Sequence, residues 1–470
     1  MTKVGKILTD ILRISIIPFI GIVVLSMFFM TNSAVKNLFS GYGVWMFVVG
    51  TLTLVIGVFA INSKLDIRDK YWSILGLGFI VRFLWIKFVP SVPVSDYATM
   101  YDCAGRILDG DFSGMHGTGY FARYPHLTIS VLYMALMRLI FTESAIFYMR
   151  YVSIIASMIN LILIFKISEY FFENIKSRLL CVLFAAVFPP FITYVSTLCT
   201  ENLALPFLFA AILYYFKIIN GKFTIKNAIL CGVFLAISNM FRGVGLIIVI
   251  AMIIFALLRN CENKLKALSL IIASMIATIV LTSSILVLSN VSEVHLWKGK
   301  ESSITYFLKG LNVDAKGAWN KDDATFVEEN LLDEDFDEQC IDIIKSRLSE
   351  KTPSELTKFF FLKFAAQWSY GDCNGAYWAF MDTVRVYKFP CDAFSQIFAT
   401  IMMLLAMISL FKRQGMCESI LHIFMCGFGI FFLIFETQPR YVYIIYWIFI
   451  PLAVQGIETI CDFIIKWRKK

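Results

Sequence analysis

The most informative part of the chain is an apolar segment, YWSILGLGFIVRFLWIKFV at residues 71–89, followed at once by the polar island PSVPVSDYATMYDCAGRILDGDFSGMHGTGYFARYPH, Pro90 to His126. The apolar segment has about the length that a helix needs to cross a bilayer. Asp96 therefore lies where a spanning helix would leave the membrane, a place where carboxylates are costly to desolvate and tend to be functional. The island ends in RYPH at residues 123–126. The two stretches predict a spanning helix and, beyond it, one wall of a site that faces away from the cytoplasm.

The composition places the chain among membrane proteins. Of 470 residues, 59% are hydrophobic and 16% charged, and the mean hydropathy is +0.75. A soluble globular protein is usually about one quarter charged. The net charge of +8 does not indicate nucleic acid as a partner, because basic loops on the cytoplasmic side of a membrane protein produce the same excess.

The apolar segments predict an all-α polytopic protein with a bundle of about 12 spanning helices and further helices at the outer membrane surface. The candidates are 11–30, 43–62, 71–89, 146–166, 178–196, 201–218, 226–241, 243–259, 266–289, 395–411, 417–435 and 441–460. Placing the basic clusters between them inside puts both termini in the cytoplasm. This orientation requires that residues 127–141, which are short and contain Arg138, lie along the outer leaflet instead of crossing it.

The same pattern suggests how the chain is organised. Residues 1–70 are two additional N-terminal helices, and residues 71–289 are a core that carries a first outer loop at 90–145. Residues 290–394 form a long outer loop with amphipathic helices, in which the pairing of three cysteines is left open. The C-terminal helices occupy 395–470. Charged side chains in the outer turns, rather than spread along the chain, predict one shared polar cavity.

Two carboxylates are candidate catalytic groups. Asp96 could act as a general base that takes a proton from an acceptor hydroxyl. The structural alternative is that Ser95 or Asp96 caps a short helix. Glu201 begins a predicted span, where a carboxylate also complements the helix dipole. Its functional role would be to bond a sugar or to tune Asp96.

The outer turns also supply candidate binding groups. Arg242 and Arg440 interrupt or border apolar stretches, so each could anchor the chain at the interface or bind phosphate oxygens through its guanidinium fork. Tyr97 and Tyr101, four residues apart, share one helix face. The remaining candidates stand in the polar island and the last outer turn: Arg123, Tyr124, His126, Glu436 and Tyr441.

These motifs, in this order, resemble polytopic GT-C-fold glycosyltransferases that use polyprenyl-phosphate sugars. The nearest likeness is to the glycosyltransferase family 39-like group with protein O-mannosyltransferases and the lipid A aminoarabinose transferase. The matching pieces are SDYATMYDCAGRIL, YFARYPHLTISVLYMALMRLIF, STLCTENLALPF, LCGVFLAISNMFRGVGL, KTPSELTKFFFLKFAAQW and ETQPRYVYIIYW. The chain departs from the family where Ser95-Asp96 replaces an Asp-Glu pair and where Arg123-Tyr124-Pro125 replaces Lys-Pro-Pro.

The resemblance implies an acidic catalytic residue in the first outer loop, which maps to Asp96, and a second outer carboxylate, which maps to Glu201. It implies that Arg440, with Arg242 or Arg123, holds the donor phosphate. The expected activity is inverting transfer of a monosaccharide from a polyprenyl-phosphate donor to an unknown acceptor hydroxyl on the outer face of the cell membrane.

No cofactor is expected to be required, although Asp96 with Glu201 could hold a divalent metal. The protein is expected to lie in the lipid bilayer, and no nucleic acid is expected as a partner. The competing class is an envelope lipid or polysaccharide transporter or flippase, which the absence of internal repeats disfavours.

Overall fold

A computed structural model describes residues 3–36, 43–259, 263–369, 388–412, 415 and 417–468. Within these ranges the chain is α-helical and contains no strand, which confirms the predicted all-α class. Twenty α-helices are present there: α1 (Lys3–Val35), α2 (Gly43–Asn62), α3 (Ile67–Phe88), α4 (Asp96–Leu108), α5 (Tyr120–Arg123), α6 (Thr128–Phe141), α7 (Ala145–Ser168), α8 (Ile175–Val187), α9 (Pro189–Thr193), α10 (Thr200–Ile219), α11 (Ile225–Phe241), α12 (Gly245–Leu258), α13 (Lys264–Leu288), α14 (Ile304–Gly310), α15 (Lys321–Asn330), α16 (Phe336–Ser349), α17 (Pro353–Ser369), α18 (Lys388–Ser409), α19 (Ser419–Ile434) and α20 (Phe449–Arg468).

The chain is a multi-pass membrane protein. Among the described residues, 6 helical runs are long and apolar enough to cross a bilayer, and a bent pair, α8 with residues 189–196, would make a seventh. The predicted number of about twelve spans is not reproduced there. The reason is length: α11, α12 and α19 have 17, 14 and 16 residues, whereas a straight crossing needs roughly 20.

Two prolines break the helix after α8, and a buried arginine satisfies the carbonyls that they leave without a donor. Pro189 and Pro190 lack the N–H groups that would otherwise bond the carbonyls of Ala185 and Ala186, four residues earlier. Arg82 of α3, fully buried, donates to both carbonyls instead, at 3.1 and 2.8 Å. Arg82, a charged residue near the middle of a predicted span, therefore supplies the hydrogen-bond donors that the last carbonyls of α8 lack.

The two outer loops lie against each other above the bundle. The backbone N–H of Lys300 donates to the carbonyl of Ala122 at 2.9 Å, and the Glu293 carboxylate accepts from the N–H of Gly117 at 2.5 Å. A Cβ atom on Gly299 would lie 2.1 Å from the carbonyl oxygen of Arg123, so only glycine fits at this crossing. The long second loop is thus fixed to the polar island.

Helix α17, in the loop for which amphipathic helices are predicted, begins with a capping box. Thr352 and Glu355 form a reciprocal capping box, with backbone N–H to side-chain distances of 2.8 and 3.3 Å. The helix was expected to lie along the membrane surface, but one side of it packs into the bundle. Trp368 on that side is fully buried, with its ring 5.7 Å from that of Phe432 on α19. This side of α17 therefore belongs to the core that supports the outer loops.

Helix α6 forms within the stretch predicted to lie on the outer leaflet, and it continues into α7 as an apolar run of 44 residues. The depth of α6, the orientation of the bundle and the proposed domain boundaries stay predictions. Cys340 is a buried free thiol. Cys373 and the side chain of Cys391 lie outside the described residues.

Candidate active site

Both outer loops and the outer ends of α10 and α11 enclose one cavity of about 530 Å³. Its lining includes residues of α4 and α5 from the first loop and of α14 and α15 from the second. Nine of the side chains predicted for the site line this cavity: Asp96, Tyr97, Arg123, Tyr124, His126, Arg242, Glu436, Arg440 and Tyr441. Residues far apart in the chain therefore meet in one polar pocket, as the outer turns predicted.

Asp96 is the first residue of α4, and its side chain is exposed at the cavity wall. The Tyr120 hydroxyl donates to Asp96 Oδ1 at 3.1 Å. The side chain of the preceding Ser95 makes no capping hydrogen bond, and Ser95 has φ 52° and ψ −133°, a conformation that costs residues other than glycine about 1–3 kcal/mol. The structural alternative, in which Ser95 caps the helix, is therefore not realised.

Two arginines share one buried carboxylate at the inner end of the cavity. Oε1 of Glu201 lies 3.5 Å from Nε of Arg242 and 3.8 Å from Nε of Arg440. The Glu201 side chain is 0% exposed, against 21% for Arg242 and 6% for Arg440. Glu201 does not line the cavity, so it reaches any ligand there only through the two arginines.

Aromatic rings cover these guanidinium groups. The Arg440 guanidinium lies 5.1 Å from the centre of the Tyr97 ring, and that of Arg242 lies 4.7 Å from the Tyr441 ring. Burial alone would lower the pKa of Arg440, yet neighbouring Tyr97 and Glu201 raise that pKa above its ordinary value. Arg440 therefore remains a cation near neutral pH.

Burial also shifts the pKa values of three further side chains at the cavity, Tyr120, Tyr124 and Glu436. Burial, and then the Asp96 carboxylate, raises the pKa of the Tyr120 phenol. Burial, followed by Glu301, raises the pKa of Tyr124. Burial raises the pKa of Glu436, although Lys309 and Arg440 oppose this shift. The phenols thus remain hydrogen-bond donors near neutral pH.

Tyr101 is not part of the cavity lining. The Arg138 guanidinium lies 4.6 Å from the centre of its ring, and Arg138 Nη1 donates to the Tyr101 carbonyl at 2.8 Å. Although Tyr97 and Tyr101 follow each other by one helical turn, only Tyr97 reaches the site. Helix α6 binds that part of α4, so Tyr101 is not brought together with the other predicted site residues, and its contact with substrate stays a prediction.

Residues 129–287 match the family model described as dolichyl-phosphate-mannose-protein mannosyltransferase. The predicted resemblance to this mannosyltransferase group is confirmed over that segment, which is shorter than half of the chain. It contains Glu201 and Arg242 but neither Asp96 nor Arg440. The match supports the coarse prediction of a membrane glycosyltransferase.

Among solved structures, ArnT from Cupriavidus metallidurans bound to undecaprenyl phosphate is similar at 10% sequence identity, with a TM-score of 0.38, covering 82% of this chain and 77% of that chain. No curated protein matches the chain.

Several cavity residues lie outside both the mannosyltransferase match and the set predicted from sequence. Tyr120 could have been found, since it stands in the polar island four residues before Tyr124. The others lack a local signal, because the second loop reaches the cavity only through tertiary contacts. These residues are Tyr306, Lys309, Trp319 and Glu328, with Glu301 buried behind them.

The described part of the chain contains no group of three or more His, Cys, Asp or Glu side chains placed to hold a metal ion. Asp96 and Glu201, the pair considered from sequence, differ in position: Asp96 lines the cavity, whereas Glu201 is buried behind the arginines. Metal dependence stays a prediction.

Proposed function

We propose that this protein transfers a monosaccharide from a polyprenyl-phosphate donor to an acceptor hydroxyl, and that the reaction takes place in the cavity between the outer loops. One observation carries the proposal: an accessible carboxylate, Asp96, shares a pocket with the paired arginines Arg242 and Arg440. A general base and a group that stabilises the leaving phosphate must reach the same substrate. The family match over residues 129–287 supports this donor class.

The proposed reaction is a single displacement. Asp96 takes the proton of the acceptor hydroxyl while the acceptor oxygen forms a bond to the anomeric carbon. The bond from that carbon to the phosphate oxygen breaks, and polyprenyl phosphate leaves with the electron pair. Attack from the side opposite the leaving group inverts the anomeric centre.

Arg242 and Arg440 would stabilise the leaving phosphate. Guanidinium groups donate paired hydrogen bonds to phosphate oxygens. Arg242 is the more exposed of the two, with 21% of its side chain accessible, so it is placed to touch the phosphate directly. Arg440, nearly buried, adds charge from behind the Tyr97 and Tyr441 rings. Donors fixed in place before the reaction stabilise developing charge at little reorganisation cost.

The positions of these groups support an outer-face reaction at the cell membrane. The cavity is bounded by the two loops that the distribution of basic residues places outside. An apolar donor chain would remain in the bilayer while its phosphate enters the cavity beside α10 and α11, whose ends carry Thr200 and Arg242.

The proposal is tested with purified protein in detergent and a panel of polyprenyl-phosphate sugars, with donor loss and sugar transfer followed by mass spectrometry. The wild type should consume at least one donor. Asp96→Asn should lower transfer about 10²–10⁴-fold, the usual contribution of a general base. Asp102→Asn is the matched control, since Asp102 is exposed on the same helix but does not line the cavity.

Two results would contradict the proposal. Failure of the wild type to consume any donor would exclude glycosyl transfer from this class of lipid, and movement of intact lipid across vesicles would favour the transporter alternative. Full activity of Asp96→Asn would exclude Asp96 as the base.

A further inference from the structure

We infer that Glu301, in the second outer loop, is a positioning residue that holds Arg123 and Tyr124 in place at the cavity. The inference rests on the proposed function for its kinetic consequence. Glu301 itself is not in the cavity lining, and no sequence motif connects it with the first outer loop.

Both oxygens of the Glu301 carboxylate are engaged. Oε2 accepts from Nε and Nη2 of Arg123 at 3.1 and 2.7 Å, and from the Tyr124 hydroxyl at 2.5 Å. Oε1 accepts from the Thr305 hydroxyl at 2.9 Å and lies 4.0 Å from Nζ of Lys309. The carboxylate therefore fixes side chains from two segments that are 178 residues apart.

Burial makes these contacts stronger than those of a surface ion pair. The Glu301 side chain is 2% exposed. Exposed ion pairs contribute little because water and side-chain entropy compete with them. A carboxylate shielded from water and bonded through two nitrogens of one guanidinium constrains both the position and the plane of that group.

The partners of Glu301 suggest a role in the reaction beyond loop stability. Arg123, Tyr124 and Lys309 all line the cavity. Arg123 was predicted to contact the donor phosphate, and Tyr124 packs on Tyr120 with ring centres 5.0 Å apart. Tyr120 is in turn the residue that bonds Asp96. Glu301 thus lies at the start of a chain of contacts that ends at the proposed base.

The same loops offer a matched control. Glu293 also contacts the first outer loop, through the N–H of Gly117, and pairs with Lys300 at 2.6 Å. Its side chain is 40% exposed, and neither it nor Lys300 lines the cavity. Glu293→Gln therefore removes an inter-loop carboxylate without touching the proposed site.

The kinetic test compares Glu301→Gln, Arg123→Met, the double variant and Glu293→Gln. Glu301→Gln should lower kcat/KM for the donor on the order of 10- to 100-fold, the scale of a lost charge-assisted hydrogen bond. Because Glu301 holds Arg123 as well as Tyr124, the loss of activation free energy in the double variant should be smaller than the sum of the losses in the two single variants. Glu293→Gln should keep wild-type kinetics. Independent, additive losses, or a Glu301→Gln enzyme with wild-type kinetics, would overturn the inference while leaving the proposed function intact.

Amide hydrogen exchange in detergent micelles tests the positioning without requiring activity. Glu301→Gln should raise exchange across residues 120–126, whereas Glu293→Gln should raise it only near Gly117. Unchanged exchange at 120–126 in Glu301→Gln would overturn the inference even if no donor were consumed. A wild type that consumes no donor, with the expected exchange pattern, would instead reject the proposed function and retain Glu301 as the residue that orders the first loop.

Discussion

The Tyr120 hydroxyl donates a hydrogen bond of 3.1 Å to Oδ1 of Asp96, across 24 residues of the first outer loop. Burial and the Asp96 carboxylate raise the pKa of Tyr120, so the phenol keeps its proton near neutral pH. The bond leaves the second carboxylate oxygen of Asp96 available to an acceptor and restricts the orientation of the group. Asp96 is therefore held by the loop it belongs to, rather than by the helix that it begins.

Tyr120→Phe should reduce kcat about tenfold while changing stability little, because it removes one hydrogen bond to a charged group and keeps the ring. Steady-state donor turnover and thermal unfolding in detergent measure the two effects. Tyr148→Phe is the control, since Tyr148 packs on Phe141 outside the cavity, with ring centres 4.0 Å apart. Equal kinetics for Tyr120→Phe and the wild type would show that Asp96 needs no such orientation.

Glu201→Gln should lower kcat/KM on the order of 10- to 100-fold, because Arg242 and Arg440 lose the charge that fixes them. The control is Glu418→Gln. Glu418 is also buried and accepts from Gln455 at 2.8 Å, but it stands at the far end of α19, about 24 Å from the turn that carries Arg440. Glu418→Gln should alter melting temperature alone. Similar kinetic losses in both variants would point to general destabilisation.

Ser95→Gly should raise the free energy of unfolding by about 1 kcal/mol, because glycine adopts the strained backbone conformation without penalty. Turnover should fall, since the residue before the proposed base becomes freer. Thr142→Gly is the control for Ser95→Gly. Thr142, at the end of α6, has a similar backbone conformation, with φ 49° and ψ −122°, and it does not line the cavity. It should gain stability at unchanged turnover. Faster turnover in Ser95→Gly would argue against a role for the strain.

Arg82→Met should destabilise the protein by about 2–6 kcal/mol, because two carbonyls at the end of α8 would lose their donors at ~1–3 kcal/mol each. Chemical or thermal unfolding in micelles measures the change. Arg106→Met, which removes a 3.5 Å contact with Asp111 between two half-exposed side chains, should cost at most about 1 kcal/mol. Comparable stabilities of the two variants would contradict the role assigned to Arg82.

Lys363 makes stability depend on pH. Its Nζ donates to the carbonyls of Gly310 and Phe435, and burial, opposed by Glu436, lowers its pKa from 10.5 to about 7. Between these values the unfolded chain holds a proton that the folded protein has released, so the free energy of unfolding rises with pH. The stability of the wild type relative to Lys363→Met should therefore grow from pH 7 to 9.5. A constant or shrinking difference in melting temperature would contradict the assignment.

Much of the site could be predicted because charged residues at the edges of apolar segments are visible in one dimension. Asp96, Arg242 and Arg440 were found in this way, and they line the same cavity. Helix periodicity grouped Tyr101 with Tyr97, but only Tyr97 lines the cavity. Periodicity identifies residues that share a helix face, but it does not identify the neighbouring helix that covers part of that face. Glu301 and Lys309 could not be found, since nothing local distinguishes them from other charged residues of a solvated loop.

Hydropathy by itself determined that this chain is helical and crosses a membrane many times, because backbone groups within a bilayer must be satisfied within the helix. The pattern of apolar and polar residues also indicated which turns between the helices contain charged side chains. Only the tertiary structure decided that Glu201 lies behind two arginines, that Arg82 completes a helix broken by two prolines, and that the second loop closes the cavity. Those arrangements depend on contacts between residues far apart in the chain, 104 positions for Arg82 and Ala186 and 178 for Arg123 and Glu301, which no local pattern of apolar and polar residues encodes.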